Sequence, residues 1–516
     1  MTFNVLAEGL RRFLGESRIN VGKVLNRYTA LAAAAAGLMW VLWTTAPVGQ
    51  YGNEALKFNP QNALIDIQRL TAREMAGRET GTPGAQAAAQ YIEQRMKAIG
   101  LQPAGSDLGY VQQFPCPRIH LTETPVMEVV DRQGITQSLQ YRNDFAEYVS
   151  YTNLTIGELT GPVVGLALGP TPDKPGADPY GLRQLKLDDK IVVIRESQSE
   201  NFNTLFAGGV LIVADDPRTL QRKHLYPQTG TIKPSGQPAM YITPEVAEQI
   251  LATAGSRLAD LDREIKALGA GETSLTNTGT SVHLKVSAQM NEEDLCYNVT
   301  GFIPGTAAST TTGVTQSLDS QVILISSYYD GLGVAPDGSF YPGANDDASG
   351  VAALLEMARV LKESPYAPKK TIVFSAWSGG ERNQGLSVKD VMNAKKGFGS
   401  LTVEAVLELS GMGAGTGDAI QLSEGSSYRL EQLYQTAASR LGNAVTTRGR
   451  DPHFGSPTPI GFGGRSGLTL NVSWDGSDAT AHTTQDTVEA IDSEKLRKSG
   501  QTTLLALMVL SRETDY

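Results

Sequence analysis

The sequence predicts an α/β fold in which helices cover both faces of a mixed, mostly parallel sheet. Four short apolar runs follow one another in the second half of the chain, at residues 322–325, 371–374, 405–407 and 468–472. Between the first two runs, apolar residues recur at helical spacing over residues 349–362. Apolar strands that alternate with amphipathic helices are typical of a sheet whose two faces are both buried.

The composition is that of a globular protein with several domains. The chain has 516 residues, of which 41% are hydrophobic and 19% are charged. At about 100–200 residues per domain, this length predicts two to four domains. The net charge of −10 and the lack of a basic stretch in the body of the chain argue against a nucleic-acid partner. Cysteine occurs only as Cys116 and Cys296, so the alternatives are one disulfide or two buried thiols.

Residues 28–50 are predicted to form a transmembrane anchor. No charged residue occurs from residue 28 to residue 53, and a helix needs about twenty apolar residues to span the hydrocarbon. The preceding residues 1–27 are rich in Lys and Arg. This predicts that the N-terminus lies in the cytoplasm and the main domain on the extracytoplasmic side of the membrane. A cleaved signal peptide is the alternative, but residues 1–27 are long for its charged segment. This segment also has an apolar helical face, which suits a membrane surface and a partner protein equally.

The first half of the chain contains two further patterns. Residues 60–105 are predicted to form a helix, a turn and a second helix that ends at Gly100. Residues 150–265 contain short β-like runs separated by Gly and Pro, which predicts a separate, small β-rich domain. The main domain is therefore expected to consist of residues 55–149 and 275–516, with the small domain inserted between them.

Acidic residues and one histidine follow the predicted strands at the points where ligands bind in such sheets. These residues are Asp330, Asp346, Glu381, Glu408 and His482. Carboxylate oxygen and imidazole nitrogen are common zinc ligands. Taken alone, each of these residues more often has a structural role than a metal-binding one, and Asp346 or Asp347 could cap the helix that follows. Their expected convergence at one end of the sheet is what predicts a metal site.

The motifs around these residues resemble metallopeptidase family twenty-eight, which includes bacterial zinc aminopeptidases, glutamate carboxypeptidase and the transferrin receptor ectodomain. The loop and helix over residues 343–356, the entry strand over residues 297–305 and the segment 482–487 are similar to family motifs in the same order. Residues 150–265 resemble the protease-associated domain that is inserted in many members. The resemblance covers nearly everything after residue 60 and implies a zinc aminopeptidase-like fold.

Residue by residue, the resemblance implies an incomplete metal centre. Asp346 matches the ligand that bridges two zinc ions in the family, and Glu381 and His482 match the ligands that complete one of the two sites. At the other site, Glu408 stands in the place of an aspartate ligand and Tyr328 in the place of a histidine ligand. The resemblance therefore implies one zinc ion, or none, instead of two.

Two more positions bear on catalysis. Asp330 matches the aspartate that orients the missing histidine, and Gly380 stands where the family has its general base. A phenol such as Tyr328 is a poor ligand because it must first lose a proton with a pKa near 10, and a positioned acid–base group contributes about 10²–10⁴-fold to the rate. No residue is thus a confident catalytic residue, and Glu408 is the candidate for a substitute base.

The expected function is that of a membrane-anchored, catalytically degenerate zinc-peptidase-like ectodomain. It would bind a peptide or protein, or act as a scaffold subunit of a membrane complex. The alternative is an active metallo-exopeptidase with an altered or single-zinc site. A single-zinc transferase similar to glutaminyl cyclase ranks behind both, because that enzyme also needs the glutamate that Gly380 replaces.

Overall fold

The computed structural model describes residues 51–512 except 107–108, 132, 151–153, 174–177, 227–235, 307–320, 383–384, 387, 397, 399–400, 424–427 and 449–468. The predicted segment 1–27 and the predicted anchor over residues 28–50 lie outside the described residues. In the described part of the chain, no helix is both long enough and apolar enough to cross a membrane.

The helices and strands follow the predicted alternation in the second half of the chain. The helices are α1 (Pro60–Leu70), α2 (Pro83–Ile99), α3 (Pro244–Ala252), α4 (Leu258–Ala267), α5 (Ser349–Glu363), α6 (Val388–Ala394), α7 (Tyr428–Arg440) and α8 (Ser493–Arg512). The strands are β1 (Gln102–Pro103), β2 (Val111–Pro115), β3 (Arg118–Leu121), β4 (Val126–Val130), β5 (Thr136–Ser138), β6 (Phe145–Glu147), β7 (Gly157–Leu168), β8 (Leu187–Arg195), β9 (Ala207–Val213), β10 (Ala239–Ile242), β11 (Thr273–Val286), β12 (Ala288–Asn291), β13 (Leu295–Ile303), β14 (Gln321–Tyr328), β15 (Thr371–Trp377), β16 (Thr402–Leu409), β17 (Ile420–Ser423), β18 (Val445–Arg448) and β19 (Thr469–Trp474).

The larger sheet has a parallel centre and antiparallel flanks. Its strands lie in the order β1, β13, β15, β14, β16, β19, β17, β18, with β2 also paired to β13. β14 runs parallel to β15 and β16, and β16 runs parallel to β19. The strands β1, β2 and β15 are antiparallel to β13, and β17 is antiparallel to β19. The predicted mixed α/β fold is therefore confirmed. Parallel pairing is limited to the centre and to the edge pair β17–β18. On the other flank, β1 and β2 from the N-terminal part pair antiparallel with β13.

Helices cover the sheet as its buried strands require. β15 is buried along its whole length, and β14 is buried except at its first residue. α5 is buried almost all round, as expected of a helix enclosed by other elements. The predicted helix, turn and helix over residues 60–105 correspond to α1 and α2, and α2 ends at Gly100 with a left-handed backbone (φ 82°).

A second sheet has hydrophobic clusters of its own. Its strands lie in the order β5, β4, β11, β7, β8, β9, β10, β6, and side chains of α3 and α4 belong to one of its clusters. This sheet extends beyond the predicted range of 150–265, because β4, β5 and β6 precede that range and β11 follows it. The likeness of this part to a protease-associated domain stays a prediction.

Cys116 and Cys296 form a disulfide. Cys296 lies in β13, and Cys116 directly follows β2, the antiparallel partner of that strand. Both cysteines are buried. Of the two alternatives that the sequence leaves open, the structure contains the single disulfide, which ties an N-terminal strand to the larger sheet.

The packing of α8 depends on the absence of a side chain at Gly500. A Cβ at Gly500 would lie 2.2 Å from Cζ of Phe58, whose ring is buried. We expect Gly500→Ala to lower the free energy of unfolding by about 1–3 kcal/mol, since overpacking outweighs a gain in helix propensity of about 1 kcal/mol. Chemical denaturation measures this difference.

Gly52 provides a matched control. It is also helical, but no described atom lies within 4 Å of a Cβ placed there. Gly52→Ala should leave the stability unchanged or raise it. If Gly500→Ala were as stable as the parent, the close packing of α8 on Phe58 would be refuted.

Candidate metal centre

Three side chains from separate parts of the chain meet at the carboxyl end of the larger sheet. Asp346 lies in the loop before α5, Glu381 follows β15, and His482 follows β19. The Nε2 atom of His482 lies 3.1 Å from Oδ2 of Asp346 and 3.6 Å from Oε2 of Glu381. Among the described residues, these three form the one group whose acidic and imidazole ligand atoms all lie within 4.8 Å of one another. We call it the triad.

The buried guanidinium of Arg78 holds the loop that carries Asp346. Its Nη1 donates a hydrogen bond to the carbonyl oxygen of Pro342 (2.7 Å), and its Nη2 donates to that of Gly343 (2.8 Å). Its Nε donates to the carbonyl oxygen of Tyr329 (2.6 Å), just beyond the end of β14. The guanidinium therefore fixes the loop relative to the central strand of the sheet.

Asp486 and Asn345 fix the backbone of the same loop. The carboxylate of Asp486 accepts hydrogen bonds from the backbone N–H groups of Asn345 (2.7 Å) and Asp346 (3.1 Å). The side-chain oxygen of Asn345 accepts from the N–H groups of Gly413 and Ala414, both at 3.0 Å. The backbone of this loop therefore cannot move Asp346 away from the triad without breaking some of these bonds.

Asp330 holds the turn that carries Glu381. Its carboxylate accepts hydrogen bonds from the backbone N–H groups of Gly380 (3.0 Å) and Glu381 (3.2 Å) and from the hydroxyl of Thr80 (2.6 Å). Asp330 is fully buried. The resemblance assigns this aspartate to orienting a histidine, whereas here its bonds position the backbone of Glu381.

The buried charges of the triad favour a cation. Burial, reinforced by the negative charge of Asp346, raises the pKa of Glu381 to about 8. Burial also raises the pKa of Asp486 to about 7. Burial would lower the pKa of His482, but the carboxylates of Glu381 and Asp346 outweigh it and raise that pKa to about 9. Buried carboxylates in excess of cationic partners are stabilised when a divalent ion lies among them.

The donor set of the triad fits a zinc ion. Two carboxylates and one imidazole are the kind of ligands that zinc takes in sites with an open coordination position. The Oε1 atom of Glu381 is buried and has no hydrogen-bond partner among the described residues. An orphaned oxygen on a carboxylate that lies beside two other ligand groups is compatible with a bound cation.

Sequence comparison identifies the family. The model of peptidase family M28 matches residues 308–507. Over 101 residues, which are 19% of this chain, the sequence is 40% identical to a protein named as a probable zinc metalloprotease from Pyrenophora tritici-repentis. That match spans only 20% of the length of the relative.

Solved structures share the fold along most of the chain. The aminopeptidase from Aneurinibacillus sp. strain AM-1 superposes with a TM-score of 0.60 at 19% identity, over 90% of this chain and 97% of its own. The chain thus matches peptidase family M28 over residues 308–507 and shares the fold of a zinc aminopeptidase. A peptidase M28 precursor from Shewanella amazonensis SB2B also superposes with a TM-score of 0.60 at 16% identity, over 91% of this chain and 98% of its own. At such identities these likenesses show the M28 fold alone.

The phenol of Tyr328 lies beside the triad. Its hydroxyl donates a short hydrogen bond to Oδ1 of Asp346, and its ring packs against Trp377 with centroids 5.4 Å apart. Burial, together with the charges of Asp346 and Glu381, raises the pKa of Tyr328 well above its ordinary value. The phenol therefore keeps its proton and engages one oxygen of Asp346.

Gly380 and Tyr328 are two parts of one steric arrangement. A Cβ at Gly380 would lie 2.6 Å from Cγ and 2.8 Å from Cβ and Cδ2 of Tyr328. Real Cβ atoms essentially never approach a neighbour that closely. The tyrosine ring thus stands where a side chain at position 380 would begin.

Glu408 stays outside the triad. It lies in β16 opposite Ser326 of β14 and Asn471 of β19, and its side chain is buried. Burial raises its pKa to about 8. The structure therefore brings together three of the four predicted ligands, and the role of Glu408 as a substitute base stays a prediction.

Several supporting residues had not been assigned roles from the sequence. Asp347 accepts hydrogen bonds from the hydroxyl of Ser327 (2.9 Å) and from the N–H of Gly411 (3.1 Å), and Asp486 and Arg78 hold the loop as described. Asp347 and Asp486 lie within the motifs that contain Asp346 and His482, so adjacency was the available signal. Arg78 lies between α1 and α2, and its distant carbonyl partners leave no trace in the sequence.

The contact between Gly380 and Tyr328 can be tested by a double-mutant cycle. We expect Gly380→Ala to lower the free energy of unfolding by about 1–3 kcal/mol, because the added methyl group overpacks the site. In a Tyr328→Ala background the same change should cost less, since two of the three nearest atoms are gone while Cβ remains. Chemical denaturation of the four proteins gives the coupling energy. Additive effects would show that the ring does not occupy this space.

Proposed function

We propose that this protein is a membrane-anchored, zinc-peptidase-like ectodomain that holds one zinc ion and has lost most or all peptidase activity. It would act by binding a peptide or protein in its cleft, or as a scaffold subunit of a membrane complex. The observation that carries the proposal is the position of Tyr328. Its ring fills the space that a side chain at Gly380 would enter, and its hydroxyl engages Asp346.

The proposal of a single zinc ion rests on the triad. Asp346, Glu381 and His482 would hold the ion, and zinc bound there would supply Lewis-acid polarisation of a carbonyl group. A second ion would need the other oxygen of Asp346, which already accepts a hydrogen bond from the hydroxyl of Tyr328. It would also need a ligand in place of Tyr328, and a phenol that keeps its proton does not serve.

The proposed loss of activity rests on the state of the neighbouring carboxylates. Asp330, Asp347 and Asp486 each accept hydrogen bonds from two or more backbone or hydroxyl donors. Carboxylates engaged in this way position the backbone and are poorly placed to accept a proton from water. Without a glutamate at position 380, a contribution of about 10²–10⁴-fold from a general base is missing.

The anchor and the inserted domain belong to the same proposal. The uncharged run over residues 28–50, after a segment rich in Lys and Arg, supports a single-pass protein with its N-terminus in the cytoplasm. The second sheet supports a protease-associated domain between the two parts of the main domain. Partners in a membrane complex are proposed because a degenerate site leaves binding as the remaining role.

An active metallo-exopeptidase is the second candidate. It is favoured by the names of the similar proteins, which are a probable zinc metalloprotease and an aminopeptidase. The triad also provides the donor set of an open zinc site. Peptides would then be substrates as well as ligands.

Zinc content and turnover separate these candidates. We expect the purified full chain to bind about one equivalent of zinc, because three protein ligands complete a single open site, and to show no turnover of aminoacyl p-nitroanilides or dipeptides. Glu381→Gln and His482→Ala should abolish zinc binding, whereas the control Glu408→Gln should keep it. Metal analysis and calorimetric titration measure these outcomes. Two equivalents with turnover would refute the proposal, and one equivalent with turnover would favour the exopeptidase.

Restoring the missing side chains tests the cause of the inactivity. We expect Gly380→Glu alone to gain no activity, because the phenol of Tyr328 keeps its proton, still engages Asp346 and provides no metal ligand. The double variant Gly380→Glu with Tyr328→His should gain turnover by about 10²–10⁴-fold, the usual contribution of a general base. The initial rate on a dipeptide, at saturating zinc, is the measurement. A parent that is as fast as the double variant would show that Gly380 limits nothing.

A further inference from the structure

A short segment of the second sheet lies against the triad. Residues Lys223–Tyr226 lie between β9 and β10, and Lys223, Leu225 and Tyr226 are buried. We call these four residues the docking segment. Leu225 belongs to a small hydrophobic cluster with Leu332, Ala335 and Tyr341 of the main domain. The segment is therefore packed into the body that carries the triad.

The docking segment holds His482 in an unfavourable backbone conformation. His482 has a φ of 62°, in the left-handed region that costs a residue with a side chain about 1–2 kcal/mol. The backbone N–H of Lys223 donates a hydrogen bond of 2.9 Å to the carbonyl oxygen of His482. The ring of His224 packs edge-on against the ring of His482, with centroids 5.3 Å apart and planes at 66°. The first contact restrains the backbone of His482, and the second restrains its imidazole ring.

The same segment reaches the residue next to Glu381. Nη1 of Arg382 donates a hydrogen bond of 2.9 Å to the carbonyl oxygen of Tyr226, and Nη2 of Arg382 donates one of 2.7 Å to Glu79. The ammonium group of Lys223 lies 3.6 Å from the carboxylate of Glu79. Arg382 is buried, so the turn that carries Glu381 is fixed on one side by Asp330 and on the other by the docking segment.

From these contacts we infer that the docking segment is part of the metal centre. Its residues position two of the three ligands of the triad, and His224 is a positioning residue for His482. Zinc binding at the triad and docking of the second sheet then stabilise each other by the same free energy, because linkage between two equilibria is reciprocal. This inference rests on the proposed zinc site and assigns a role to the second sheet in building it.

Three substitutions test the inference through zinc affinity, measured by competition with a chelator. We expect His224→Ala to weaken zinc binding by about 10–100-fold, the range found when groups that orient metal ligands are removed. His224→Phe keeps a ring against His482 and should retain most of the affinity. The control Leu251→Ala destabilises the hydrophobic core of the second sheet, away from the triad, and should leave the affinity unchanged.

Hydrogen exchange provides a second readout that does not depend on a substitution. Zinc should slow exchange of the Lys223 amide, which donates to His482, and should leave amides of α3 unaffected. Zinc binding by the parent with unchanged affinity in His224→Ala would overturn the inference, as would an equal loss of affinity in Leu251→Ala. A parent that binds no zinc would overturn both this inference and the single-zinc proposal, and that outcome is measured on the parent alone.

Discussion

The architecture of the site depends on a buried guanidinium that binds only backbone carbonyls around it. Arg78 donates to the carbonyl oxygens of Leu70, Tyr329, Pro342 and Gly343, and no part of its side chain reaches solvent. It thereby joins the end of α1, the end of β14 and the loop before α5. Each of these four carbonyl groups would lose a donor without the guanidinium, and a buried group that is left unsatisfied costs about 1–3 kcal/mol. The loop that presents Asp346 is accordingly held in place whether or not a metal is bound.

The departures from the family pattern form a consistent physical set. The side chain of Tyr328 packs directly against Gly380, where a Cβ would lie 2.6 Å from Cγ of the tyrosine. The phenol then satisfies one oxygen of Asp346, which is otherwise a buried carboxylate next to another carboxylate. Asp330 keeps a function in this arrangement because its bonds run to the backbone of Gly380 and Glu381 and not to a side chain at position 328. The result is a site in which Tyr328 and Asp330 are both held by direct contacts to the elements that carry the triad.

Much of the fold and part of the site could be predicted from the sequence, for a local reason. Buried strands are short apolar runs, and ligands follow their carboxyl ends, so Asp346, Glu381 and His482 could be found one strand at a time. Contacts between distant segments have no such signature. The packing of His224 on His482 joins residues more than 250 positions apart, and the extent of the second sheet depends on the pairing of β4 with β11. The sequence also does not determine which ligand candidates have side-chain atoms close enough to share an ion. Glu408 was therefore predicted as a ligand together with Asp346, Glu381 and His482, but it lies outside their group.

The electrostatics of the interior explain why a chain without a general base would still carry three zinc ligands. The side chains of Asp346 and Glu381 are 19% and 6% exposed, and His482 is a cationic partner for both. A buried charge that loses its partner costs about 3–5 kcal/mol, so removal of one ligand leaves the charges of the others less well compensated. Around them, Glu79 is paired with Arg382, Lys223 and Arg118 between the two sheets, which imposes the same penalty on separating the sheets. A metal ion at the triad would compensate the carboxylates and join three loops, and both effects would stabilise the fold even where no bond is hydrolysed.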